Sequence, residues 1–210
     1  MKQMISLIAV FFMLNTVKAQ DQQLAAAVTK LNTAASIADF QQLANEFGRM
    51  AAAEPTQWLP AYYAAYSNTK LAFLQKDAER AMQFSNLAEE QIKKAEAIVK
   101  PGGNQKELAE VYTVYSFMNR SRVEADPMVN GRKYGPTAGA HLSKARQLDP
   151  ANPRALYLDG LVKFKTPAMW GGDKKKAKEL FEQALKQFEV KPASAVAPQW
   201  GRADCEKMIQ

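Results

Sequence analysis

The chain has one cysteine, Cys205, and one histidine, His141, among its 210 residues. A single cysteine forms no internal disulfide, and a single histidine without a thiol cluster leaves no zinc site or metal cluster of the usual kinds. β-Branched aliphatic residues are also scarce, since Val and Ile together number 17 against 35 Ala. A chain so poor in sheet-filling residues and so rich in the best helix former is neither an all-β protein nor a doubly wound sheet. There is no glycine-rich phosphate loop and no nucleophile elbow, and His141 has no Asp or Ser near it in a triad pattern. No catalytic residue, metal or cofactor is expected, and the chain reads as a non-enzyme.

What remains is ordinary for a folded domain: 47% hydrophobic and 23% charged residues point to a real core rather than a disordered tail. The first 19 residues stand apart. Lys2, an apolar run from Met4 to Leu14, and Val17 and Ala19 at small-residue spacing form the pattern of a secretory signal peptide cut after Ala19. That run falls well short of the roughly 20 residues a helix needs to span a bilayer. The expectation is an exported protein, periplasmic or extracellular, with no transmembrane segment after cleavage.

Charge is uneven along the remainder. Residues 20–100 carry eight Lys or Arg against nine Asp or Glu, whereas residues 101–210 carry 18 against 12. The C-terminal half is therefore +6 and the N-terminal half −1, a solvated basic face or a bias toward an acidic partner or an anionic lipid surface. Export speaks against nucleic acid as that partner.

Apolar residues recur at three- and four-residue spacing, and period-two alternation is almost absent. The pattern predicts helices at 21–34, 37–53, 56–74, 77–99, 104–122, 136–148, 152–165 and 173–189, with a short one at 197–208. Asn104, Asn152 and Asp173 are placed as N-caps, and Pro55, Pro101, Pro150 and Pro192 close alternate helices. A small/large/small frame then repeats: Ala88, Ile92, Ala95; Ala138, Leu142, Ala145; Ala177, Phe181, Ala184; and, with larger residues, Leu43, Phe47, Met50. Small residues one helix face apart let a neighbouring helix approach closely, and Gly160 offers the same close contact. Cys205 reads as a small buried apolar residue.

The stretch "ANPRALYLDGLVKF" with "KKAKELFEQALKQF" resembles a tetratricopeptide repeat, and "AGAHLSKARQLDP" resembles the second half of another. The turn "KTPAMWGGD" also resembles the extracytoplasmic helical-repeat component of tripartite solute transporters. The first resemblance implies one all-α domain over 20–210, a right-handed α-solenoid of about four antiparallel helix pairs (21–55, 56–101, 104–150, 152–192) with a C-terminal capping helix.

Such an array lines a groove with its first helices, and families of this shape hold a peptide or protein there. Trp58 and Tyr62 read as core, while Tyr63, Tyr66, Tyr115, Asn119, Arg120, Arg154, Tyr157 and Lys165 are the groove candidates. Two expanded turns, 126–136 and 166–173, share a Pro-Met-Gly pattern 40 residues apart. They are expected on one edge, where Met128, Tyr134, Met169 and Trp170 would form an apolar patch unless each turn folds back on its own helix pair. A protein-binding scaffold of the cell envelope is the first functional expectation, a holder of a small apolar or anionic ligand the second, and a hydrolase a distant third.

Overall fold

In the computed structural model residues 21–210 are described, so the expected signal peptide lies outside the described residues. Their regular structure is entirely helical. Helix α1 covers 21–31, followed by α2 (Ile37–Ala53), α3 (Trp58–Leu74), α4 (Ala78–Val99), α5 (Gln105–Ala125), α6 (Pro127–Leu148), α7 (Pro153–Lys165), α8 (Lys174–Phe188) and α9 (Arg202–Lys207). No described helix is long and apolar enough to cross a membrane.

The helix starts are fixed by local chemistry. Asn104 accepts from the Lys106 and Glu107 amides, Asn152 from those of Arg154 and Ala155, and Asp173 from that of Lys176. Each satisfies donors that the first helical turn leaves without a partner. Ser36 and Asp39 close a reciprocal capping box on α2.

Consecutive helices pack on one another, and α3 also meets α5 while α5 meets α7. The odd-numbered helices from α3 to α7 thus form a row, each followed by the even-numbered helix that covers it. Helix α3 is buried nearly all round from Pro60 to Ala72, whereas α8 buries only one stripe. The repeated frame supplies those stripes: Ala88, Ile92, Ala95, Ala138, Leu142, Ala145, Ala177, Phe181 and Ala184 are all buried. Gly160 has the expected role, since a β-carbon there would stand 2.5 Å from Phe181 Cε1. Close approach of α7 to α8 therefore excludes any side chain at that point.

Two expectations are corrected. The expanded turn at 126–136 does not exist, because α6 begins at Pro127, one residue after α5 ends. Asp126 serves both helices and accepts from the Val129 amide, Pro127 occupies the first helical position, and buried Asn130 donates to the Arg122 carbonyl. Pro136 sits inside the helix, where it removes one backbone bond. It lies exposed, and open space surrounds the β-position of Gly131, Gly135 and Gly139, so water reaches this side of α6. The two turns therefore differ in kind, for 166–173 is a true turn built around a single 3-10 turn at Ala168–Trp170.

The second correction is at the C-terminus. The helix expected over 197–208 starts only at Arg202, because Pro198 lacks an amide proton and Gly201 takes a left-handed φ of 97°. Residues 190–201 instead cross the row of odd-numbered helices as an irregular strap.

Candidate functional site

The strap closes the face on which the groove was expected. Val196 O accepts from the Tyr63 hydroxyl at 2.8 Å, and Pro198 O from Arg154 Nη1 at 2.8 Å. Trp200 donates through Nε1 to the Tyr62 hydroxyl at 2.8 Å and stacks on Tyr66 with ring centroids 4.4 Å apart. Beneath it, Glu110 on α5 accepts from Tyr62 at 2.9 Å, from Arg154 Nε at 2.8 Å, and from Asn152. Burial raises the Tyr62 and Tyr63 hydroxyls well above the ordinary tyrosine range. Burial opposes the Arg154 charge, yet the Glu110 carboxylate outweighs it and the net shift is upward. Four elements share one closed polar network.

The groove candidates accordingly go inside. Tyr63, Tyr66, Tyr115, Asn119, Arg154 and Tyr157 are buried, Arg120 is half-buried, and Lys165 alone is exposed. Tyr62 is core as expected, and Trp58 is half-buried against it. Beside the strap lies a cleft of about 720 Å³ whose walls include Trp58, Lys106, Glu107, Asp149 and Arg202, a mixture of both charge signs. Cys205 is fully buried, and burial pushes its thiol up to about 11, which removes it as a nucleophile.

His141 belongs to another cluster. Its ring stacks on Tyr115 at 4.7 Å and faces Tyr112 at 5.8 Å, and both hydroxyls donate to Glu96, at 2.9 and 3.0 Å. Burial lowers the His141 pKa against the opposing pull of Glu96 and Glu89. Among the described residues no group of three or more His, Cys, Asp or Glu is arranged to hold a metal.

The opposite edge, where α5 turns into α6 and α7 turns into α8, is open. Met128 is 94% exposed, Val129 70%, Met169 83% and Trp170 74%. Lys165 at the end of α7 pairs with Glu124 near the end of α5 at 3.0 Å, with both side chains more than half exposed. The backbone of 166–173 folds back on its own helix: Gly172 N donates to Pro167 O, Asp173 N to Lys163 O, and Lys163 Nζ to Gly171 O. A β-carbon on Gly172 would stand 1.7 Å from Thr166 O, and Gly171 has a φ of 90°. The main chain of the turn is thus hydrogen-bonded back onto α7, while Met169 and Trp170 stand exposed. Between its ends lies a cleft of about 540 Å³ lined by residues 164–168 and 172–174, with Phe164, Lys165, Asp173 and Lys174 among them. Lys174 Nζ stands 5.7 Å above the Phe164 ring. Tyr134 is half-buried, with the Arg122 guanidinium 4.9 Å from its ring, and so only borders the patch. Phe164 and Lys174 were absent from the sequence candidates, although the lysine run after the double glycine was visible.

No protein-family model matches the chain, and neither does any curated protein. Among solved structures, the chain is similar to one described as the HusA haemophore from Porphyromonas gingivalis, with 28% sequence identity and a TM-score of 0.76. The likeness covers 92% of this chain and 90% of the other.

Proposed function

We propose that this protein is an exported, non-enzymatic carrier of haem or a closely related tetrapyrrole, built on a tetratricopeptide-like solenoid. Support for the frame comes from the order of helix contacts, in which α3 meets α5 and α5 meets α7 as well as their neighbours in sequence. Support for the ligand comes from the likeness to a haemophore over nearly the whole of both chains. Haem is a flat apolar ring with two carboxylates at one margin, and a site for it needs apolar surface beside fixed cations.

The observation that carries this reading is the composition of the open edge. Trp170 and Met169 stand exposed beside a cleft that joins the Phe164 ring to Lys165 and Lys174. The aromatic rings supply stacking area, the thioether adapts to the ring surface, and Lys174, joined by Lys165 when it exchanges Glu124 for the ligand, meets the carboxylates. No histidine lies at this edge, so recognition there rests on ring stacking and ion pairing. Of the two leading sequence expectations the small ligand is therefore preferred to the protein scaffold, because the face that would hold an extended peptide is filled by residues 190–201.

Titration with haemin, followed by its Soret absorbance and by quenching of tryptophan emission, tests the assignment. The wild type saturates. The double variant Trp170→Ala/Met169→Ala binds at least about tenfold more weakly, the equivalent of about 1.4 kcal/mol, and Lys165→Glu/Lys174→Glu does likewise. Unchanged binding in both variants would falsify the placement.

A further inference from the structure

The open edge carries more positive charge than a dianionic ligand uses. Between residues 163 and 178 there are six lysines, Lys163, Lys165, Lys174, Lys175, Lys176 and Lys178, against one acid, Asp173. Asp173 is held as the α8 cap, Lys165 is paired with Glu124, and Lys176 with Glu179. Lys175 and Lys178 are exposed and make no ion pair among the described residues. Neither lines the cleft beside Phe164. The lysines open α8, where positive charge faces the positive end of the helix dipole, so their clustering has no origin in helix stability.

We propose that this edge docks on an anionic phospholipid surface, with Trp170 and Met169 entering the interfacial layer and the lysines of α8 lying over the headgroups. Tryptophan is the residue type that settles at the boundary between headgroups and acyl chains, and a lysine can bury its stem while its ammonium stays wet. Their exposures, 74% for Trp170 and 83% for Met169, leave both free to enter. Charge complementarity selects the occupant. A second copy of the chain, packed through the same edge about a two-fold axis, would set lysine against lysine. An acidic bilayer instead gains from each cation. The proposal concerns the ligand-free protein, since it shares Trp170 and Met169 with the ligand reading, while Lys175 and Lys178 lie outside the cleft.

The test is co-sedimentation of the mature protein, recovered after export and free of haemin, with vesicles of phosphatidylcholine alone or of equal parts phosphatidylcholine and phosphatidylglycerol. Binding is expected to the mixed vesicles only, weakening as salt rises, with a blue shift of emission that Trp170→Phe abolishes. Lys175→Gln/Lys178→Gln should weaken vesicle binding about 25-fold, at about fivefold per lysine, while haemin binding stays unchanged. Equal binding to both vesicle types, no sedimentation with either, indifference to the lysine substitutions, or self-association through the edge would each overturn the proposal. Loss of haemin binding in Trp170→Ala/Met169→Ala alone would leave it standing.

Discussion

The strap-covered face and the open edge both involve α5 and α7, yet one is finished and the other is not. On the covered face Tyr62, Glu110, Asn152, Arg154 and Trp200 satisfy one another, and Tyr63 is fully buried with its hydroxyl on a strap carbonyl. At the edge Trp170 is 74% exposed and appears in no side-chain hydrogen bond among the described residues. Both regions hold a tryptophan, Trp200 in the strap and Trp170 at the edge. What separates structural aromatics from available ones is whether the chain itself completes their contacts.

Removing one partner from the closed network tests the contrast most severely. Arg154→Ala leaves Glu110 buried without its cation and should cost about 3–5 kcal/mol in urea unfolding. A loss below about 1 kcal/mol would mean that the strap-covered face is not held by this pair. The half-buried His141 should show a smaller effect that depends on pH. Its pKa is lowered in the folded state, so below the ordinary value near 6.5 the unfolded chain binds the proton more readily. Its contribution is complete above about pH 6.5 and is lost as pH falls through that value toward the lowered one. Thermal midpoints taken from about pH 8 to about pH 5 should fall more steeply for the wild type than for His141→Gln, and parallel slopes would remove the histidine from the account. The smallest effect belongs to the edge. Trp170→Ala and Met169→Ala should each stay within about 0.5 kcal/mol of the wild type, even where haemin binding is lost. A larger loss of stability there would erase the distinction between the two regions.

Much of the fold was legible because its signals are local. The caps at Asn104, Asn152 and Asp173 act within three residues, and the Ala/large/Ala frames mark the buried stripe of each helix by spacing alone. Gly160 could be read as a contact point because the helix after it carries Phe181 in register. Of the patch candidates, Met128, Met169 and Trp170 are exposed and Tyr134 is half-buried. The reading of 126–136 as a turn failed where local signals mislead. Gly131, Gly135 and Pro136 are loop-forming residues by propensity, but the Asp126–Pro127 start and the Asn130 anchor on α5 carry α6 through them. The burial of Tyr63 was illegible for a different reason, since nothing near it announces a partner 133 residues away.

The sequence by itself determined an all-helical chain, the boundaries of most helices, and the alanines and glycine through which those helices approach one another. These follow from propensity, capping and periodicity, which operate over a few residues. Only the tertiary structure decided which aromatic residues are free. That choice turns on contacts such as Trp200 to Tyr62, 138 residues apart, and Tyr63 to Val196, 133 residues apart. Burial and hydrogen-bond completion are properties of the folded surface, and no short window of sequence carries them.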